Sequence, residues 1–436
     1  MNKLLYIAIS FILLFTGIIN AQQIKTISKA EAITEVSSQN TLLKISEQEY
    51  LQAKADYRQT NAIFLPNITA SHSGISTTNP IMAFGSKLNQ AIITTADFEP
   101  SLLNQPDAIT NFTTKIEFQQ PLINLDGIYQ RKAAKNKMNA VALKINRTQD
   151  YLAFEVEKTY MQLQLAYKAV SVIEKTLKAT LENKRVATNK FKQGYLQKAD
   201  ILTVDVRVTE VKNQLQSAKS NIKNVSDYLA LLINEKDAVI FKPTDSLTFS
   251  SFSINNNDFI SENRADIKAM ELASTAYLNM YKSDKMAFLP RLNAFGSYEL
   301  YDAQIFQTGA NGYLIGVELS WNLFEGSKRF GKAQKSKAKF EQSKLEYDQY
   351  VSESTLEFKK AKRMLLDADN KLNLTKLAME QSKEALRIRT NRFKEGLEKV
   401  SDLLLSETLF AQKQLAYYQT IFEYNYAQAY LQFLTK

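Results

Sequence analysis

The 436-residue sequence predicts a mainly α-helical protein with a membrane β-barrel portion, a duplicated repeat of long coiled-coil helical hairpins with two strands per repeat. Three observations predict it. Helix breakers are scarce over two long stretches. Two distant regions carry the same residues in the same order. The segments between the helical stretches alternate apolar and polar residues.

The first 21 residues read as a secretory signal peptide. Lys3 gives a positive start, Leu4 to Ile19 is almost continuously apolar, and Ala21 closes the segment before Gln22. No Cys follows, so an acylated lipoprotein is not expected. Nothing downstream reaches the ~18–20 apolar residues of a transmembrane helix.

All seven prolines lie at 66, 80, 100, 106, 121, 243 and 290. From 128 to 295 Gly194 is the sole glycine, and from 332 to 436 Gly396 is. Stretches so poor in breakers and rich in Lys, Glu, Gln, Ala and Leu predict long helices at about 127–193 and 327–395. Shorter helices are expected at about 28–60, 198–235, 261–287 and 398–435. Along the first long helix Val156, Thr159, Leu163, Ala166, Val170 and Ile173 follow a 3-4 spacing, as do Phe358, Ala361, Leu365 and Ala368 in the second. That spacing marks a supercoiled seam. At about 1.5 Å per residue each long helix spans roughly 100 Å.

The duplication is read from matched residues. Asn189 to Gly194 matches Asn391 to Gly396, Ala62 to Pro66 matches Met286 to Pro290, and Leu125-Asp126-Gly127 matches Phe324-Glu325-Gly326. A first repeat over 22–243 and a second over 261–436 follow, joined by a connector at 244–260.

Strands are expected at about 66–74, 111–123, 290–300 and 312–323. Tyr313, Ile315, Val317, Leu319 and Trp321 interleave with more polar neighbours, and so do Leu292, Ala294, Gly296 and Tyr298. Phe112, Thr114, Ile116 and Phe118 do the same, and Ile68, Ala70 and His72 form a weaker fourth series. About ten residues each is the span of a tilted transmembrane strand. Tyr298, Tyr313 and Trp321 are the candidate membrane-interface aromatics. Four strands cannot close a barrel, and an open edge cannot face lipid, so several chains must share one barrel. Residues 75–110 and 301–311 are expected as loops.

Composition narrows the function. Cys is absent and His72 is the one histidine, which leaves no zinc site, disulfide, thiol nucleophile or histidine base. The formal charge of +10 is spread over Lys and Arg interleaved with Glu and Asp, a pattern of solvated helix faces. No aromatic and basic interleaving points to nucleic acid. Gly326 to Ala333 approaches a phosphate-binding loop but ends in Ala where a Ser or Thr hydroxyl would reach Mg²⁺. No catalytic, cofactor or metal residue is therefore expected.

Taken together these marks resemble the TolC family of outer-membrane efflux proteins over essentially the whole mature chain. The order helix–Leu-Pro–strand–loop–strand–Gly–long helix occurs twice. A tip motif stands at Phe191, Gly194, Asp200, Ile201 and Leu202 and again at Phe393, Gly396, Asp402, Leu403 and Leu404. The resemblance implies a homotrimer with a 12-stranded barrel in outer-membrane lipid and a 12-helix periplasmic tunnel. It also implies a passive exit duct of a tripartite efflux or type I secretion system, fed by an inner-membrane RND or ABC pump through a periplasmic adaptor. Phe191, Gly194, Phe393 and Gly396 then mark the adaptor-facing tips. Asp402 falls on a family gate position, Leu405 replaces the second gate aspartate, and Asp200 is a further candidate. Phe393 stands where relatives can carry a latching Tyr. Asp200 and Asp402 have an alternative reading as carboxylates stabilising helix N-termini. At the level of the whole chain, the alternative is a periplasmic coiled-coil scaffold or adaptor that never spans a membrane.

Overall fold

A computed structural model describes residues 23–249 and 260–436. The signal segment 1–21 and most of the 244–260 connector lie outside the described residues. In chain order the elements are β1 (Gln23–Ile27), α1 (Lys29–Gln39), α2 (Thr41–Gln59), β2 (Asn67–Thr77), α3 (Pro80–Asn89), α4 (Pro100–Asn104) and β3 (Ile109–Ile123). They continue with α5 (Leu125–Lys192), α6 (Lys198–Ile233), β4 (Val239–Pro243), α7 (Ala265–Met286), β5 (Arg291–Asp302), β6 (Ala310–Ser320), α8 (Lys328–Lys394) and α9 (Val400–Thr435). The chain divides into two compact units. One holds the described residues up to Glu47 with Lys144–Ala265 and Tyr350–Lys436, and the other holds Gln48–Leu143 and Asp266–Gln349.

The first unit is almost wholly helical. Val156, Thr159, Leu163 and Ala166, four positions of the 3-4 series, are buried, and Tyr160, Leu229 and Phe241 pack with that seam. Phe358, Ala361, Leu365 and Ala368 form a second seam against Tyr424, Leu431 and Leu434 of α9. Ala and Thr among the larger residues let helices approach closely. The single helix expected over 28–60 is broken at Asn40. Its backbone is extended, its Oδ1 accepts the Leu42 N–H at 2.8 Å, and its Nδ2 donates to the Leu232 carbonyl at 2.6 Å. A cap that satisfies first-turn donors starts a new helix there. The sequence reading also missed β1 and β4, which pair in parallel from Gln23↔Val239 to Ile27↔Pro243. Two arginines close the C-terminal end of α9. Arg147 donates to Phe433 O at 2.9 Å and Arg264 to Leu434 O at 3.1 Å, supplying partners to last-turn carbonyls that the helix cannot satisfy itself.

The second unit holds a four-stranded antiparallel sheet in the order β2-β3-β5-β6. Its register joins Ala70↔Ile116, Ile116↔Tyr298 and Tyr298↔Tyr313. Residues paired across an antiparallel ladder share a face. All four alternating series therefore fall on one face. The opposite face carries Ser71, Lys115, Glu117, Glu299 and Glu318. Glycines make room for cross-strand rings: a Cβ on Gly296 would lie 2.4 Å from the Phe118 ring, and one on Gly316 2.9 Å from Phe295.

The loop expected over 75–110 is largely structured. Pro80 and Pro100 sit at the starts of α3 and α4 rather than marking coil, because proline lacks only a donor that a first turn cannot use. The Asn79 side chain accepts the Met82 N–H at 3.2 Å, and Lys87 pairs with Asp97 at 2.8 Å. The Lys87 ammonium, with the Thr94 N–H and hydroxyl, holds the Asp97 carboxyl down at about 2.

Candidate functional site

Within the first unit, α5 ends at Gly194 and α8 ends at Gly396, with φ of +83° and +80°. Each glycine closes the same bonded turn. Gly194 N–H donates to Phe191 O and Tyr195 N–H to Lys190 O, both at 2.9 Å. Gly396 N–H donates to Phe393 O at 3.1 Å and Leu397 N–H to Arg392 O at 2.9 Å. This is a Schellman cap, and its left-handed residue favours glycine.

Between the two turns lies a small apolar cluster of Phe393, Val400, Leu403 and Leu404 with Ala187 and Val204. Lys190 ties the turns together. Its Nζ donates to Phe393 O at 2.5 Å and sits 4.9 Å from the Phe393 ring centroid. At the end of α8, Arg389 and Arg392 reach Glu398 at 2.8 and 2.9 Å, placing cations at a helix terminus that favours them.

The candidate residues separate by environment. Asp200 accepts the Gln197 backbone N–H at 2.9 Å, so its carboxylate caps α6. Asp402 is the acidic residue in the first turn of α9 and is half-buried. Leu405, one turn on, is 69% exposed, whereas Leu403 beside it is 0% exposed. Asp402 and Leu405 thus lie off the face that packs into the tip cluster. The two motif phenylalanines part company as well: Phe393 is 2% exposed and Phe191 40%.

One turn further along α9, Glu407 is buried and faces α5. It is hydrogen-bonded by Thr180 and, at 2.7 Å, by the Asn183 Nδ2. Burial pushes its carboxyl up from the usual range, against the opposing pull of Thr180, Arg207 and Asn183. Sequence reading missed Glu407, Lys190 and Glu398. The available signal for Glu407 was a charged residue spaced three and four positions from Leu404 and Leu403, where an apolar seam would continue.

Within the second unit, Tyr298 and Tyr313 are paired at the hairpin-loop end of the apolar face, and both are exposed. Trp321 lies just past the other end of β6, and its Nε1 donates to Phe288 O at 2.9 Å. Tyr313 and Trp321 are eight positions apart, about 27 Å along the strand at 3.4 Å per residue. Lys332, the lysine of the near phosphate-loop match, pairs with Asp284 at 3.0 Å. The His72 ring lies against Phe306, tilted by 31° with centroids 4.4 Å apart.

The family profile described as "Outer membrane efflux protein" matches residues 32–235 and 259–435. The chain belongs to that family. Its fold is shared with solved channels. CusC, whose crystal structures describe folding and transmembrane channel formation, superposes with a TM-score of 0.81 at 14% identity, over 93% of this chain and 92% of CusC. The outer membrane protein VceC of Vibrio cholerae gives 0.77 at 16% identity, over 92% of this chain and 96% of VceC. The CmeC outer membrane channel of Campylobacter jejuni gives 0.76 at 17%, over 93% and 85%. Comparison with curated proteins returns no match. As an outer membrane efflux protein, the chain resides in the outer membrane with its helical part in the periplasm, and it has the family and fold of channels rather than of enzymes. No described helix is long and apolar enough to cross a membrane.

Proposed function

We propose that three chains share one 12-stranded barrel and one 12-helix tunnel, forming the passive exit duct of a tripartite efflux or type I secretion system. The observation that carries this is the open sheet: four strands, apolar on one face and polar on the other, with β2 and β6 each lacking a second neighbour among the described strands. Such edges cannot stand in hydrocarbon, so they must pair with further copies. Two copies would supply eight strands and three would supply 12; the family resemblance selects three. The two repeats, 22–243 and 261–436, would each contribute two strands and one hairpin per chain. The tips at Gly194 and Gly396 would face a periplasmic adaptor, itself joined to an RND or ABC pump of the inner membrane.

In this reading Asp402 and Leu405 of each chain surround the closed aperture. Three carboxylates held together repel, and the leucines with the packed tip cluster offset that repulsion. The test uses purified protein in planar bilayers. Heat-modifiable trimers should give small, stable openings, and Leu405→Asp should raise resting conductance by adding three charges and removing the apolar plug. Asp402→Ala should alter ion selectivity more than opening. Wide conductance from monomers would sink the trimeric duct; variants that conduct and select like wild type would remove Asp402 and Leu405 from the gate.

A further inference from the structure

The second unit carries an unusual charge arrangement where its strands give way to helices. From Lys328 to Lys339 the chain has six cations and no Asp or Glu, and from Gly127 to Leu143 it has Arg131, Lys132, Lys135 and Lys137, again without an acid. The first segment begins α8, and the second follows the opening residues of α5, whose one first-turn acid, Asp126, is buried and pairs with Arg291 at 2.5 Å. A helix N-terminus carries partial positive charge and favours carboxylates, so cations there raise the local potential rather than relieve it. The first turn of α8 holds no acidic residue at all.

Internal partners absorb only part of this charge. Lys332 pairs with Asp284 at 3.0 Å and Lys137 with Asp56 at 3.2 Å. Lys132, Lys135, Lys328 and Lys335 are exposed, and among the described residues none has a carboxylate within ion-pair distance. Their height relative to the strands is set by the chain. β6 ends at Ser320 and α8 begins at Lys328; β3 ends at Ile123 and α5 begins at Leu125. At 1.5 Å per residue, Lys335 and Lys132 lie about 10 Å along their helices, and Lys135 about 15 Å. The polar headgroup layer is about 5–8 Å thick on each side of the hydrocarbon, and lysine stems can extend back toward it.

The neighbouring surface is that of a membrane boundary. Leu122 and Ile123 beside α5, and Leu323 and Phe324 beside α8, are all about half exposed or more. The Arg329 guanidinium lies 5.0 Å from the Phe288 ring, and the Lys132 ammonium 5.0 Å from Tyr129. Exposed apolar side chains followed by unneutralised lysines repeat at both strand-to-helix junctions.

We propose that Lys132, Lys135, Lys328 and Lys335 form a basic collar that binds the phosphodiester headgroups of anionic phospholipids in the periplasmic leaflet of the outer membrane. The inference rests on the barrel reading above. The apolar band sets the depth, and the collar adds lipid-headgroup recognition by charge complementarity. Juxtamembrane cations of this kind each strengthen binding to an anionic surface by roughly fivefold, less at high salt.

The full-length protein tests it in two sets of vesicles, phosphatidylethanolamine alone and phosphatidylethanolamine with phosphatidylglycerol. Wild type should insert in both, melt higher in the vesicles with phosphatidylglycerol, and retain that lipid through native mass spectrometry. Lys132→Gln/Lys135→Gln/Lys328→Gln/Lys335→Gln should still insert but lose roughly tenfold or more of the retained phosphatidylglycerol, together with the salt-sensitive part of the melting shift. Equal insertion of wild type and variant with equal lipid retention overturns the collar alone. A change of ion selectivity in the variant with unchanged lipid retention places the lysines on the lumen and also overturns it. Failure of wild type to insert in either vesicle overturns the barrel reading and the collar with it.

Discussion

Replacing Phe393 by alanine removes a ring that is 2% exposed and central to the cluster joining the two helical turns. Loss of a buried phenylalanine costs about 3–5 kcal/mol where the surroundings cannot collapse. Here the neighbours are short or belong to different helices, Ala187 on α5, Val204 on α6 and Val400 on α9, so collapse would have to move whole helices. The ring also lies 4.9 Å from the Lys190 ammonium, a contact worth about 0.5–1 kcal/mol at a partly exposed site. A local loss of about 4 kcal/mol follows from those two contributions. Phe191→Ala is the control, since the same motif position in the first repeat is 40% exposed, and it should cost well under 1 kcal/mol. Amide hydrogen exchange across 186–204 and 386–404 reads the difference directly. Protection there should fall by about three orders of magnitude for Phe393→Ala and change little for Phe191→Ala. Equal effects of the two substitutions would refute the argument, because they would show that the motif rather than its burial sets tip stability.

Three other expectations follow from the same contacts. Because burial raises the Glu407 carboxyl, its folded pKa lies above the unfolded one; its contribution to stability is full below the unfolded value of about 4.3 and is lost as pH rises through the folded value. Tip hydrogen exchange, corrected for intrinsic rates, should therefore slow on acidification, and Glu407→Gln should flatten that dependence; a wild-type tip that gains protection as pH rises speaks against it. Gly194→Val and Gly396→Val force a β-branched residue to φ of +83° and +80°, at a cost of at least about 1–2 kcal/mol each, whereas Gly194→Asn should be tolerated far better; equal melting of the Val and Asn variants would refute the backbone argument. Gly296→Val drives a Cβ to within 2.4 Å of the Phe118 ring and 2.9 Å of Leu314 O, so the yield of heat-modifiable barrel should drop sharply. Gly85→Ala, with nothing within 4 Å, serves as its neutral counterpart, and a normal yield from Gly296→Val would overturn the cross-strand packing.

Much of the fold was legible in the residues because its signals are local. Long runs without Gly or Pro can hardly be anything but helix, and the structure has helices of 68 and 67 residues at Leu125–Lys192 and Lys328–Lys394. Period-two alternation located four strands to within a few residues. The errors fell where a single side chain outweighs the pattern around it. Asn40 caps a new helix within an otherwise helical run, and Pro80 and Pro100 start helices inside what reads as a loop. β1 and β4, at five residues each, are too short for periodicity to register.

The candidate site was less legible. Residue types and spacing alone marked Gly194 and Gly396 as helix ends, because a left-handed C-cap is a local requirement that a short motif can carry. The same motif placed Phe191 and Phe393 as equivalents, and nothing local distinguishes them. Only the packing of four helix segments buries one and leaves the other in solvent. Glu407 became a buried carboxyl in the same way, through the approach of Thr180 and Asn183, 227 and 224 residues away in sequence. The alternating series in four strands were each visible alone. Their confluence on one face depended on the register, since a slip of one residue would have turned a strand's apolar side chains to the polar face. Periodicity and caps are properties of neighbours in sequence, and the chain determined them by itself. Burial, pairing register and the meeting of charges depend on contacts between distant segments, and those the tertiary structure decided.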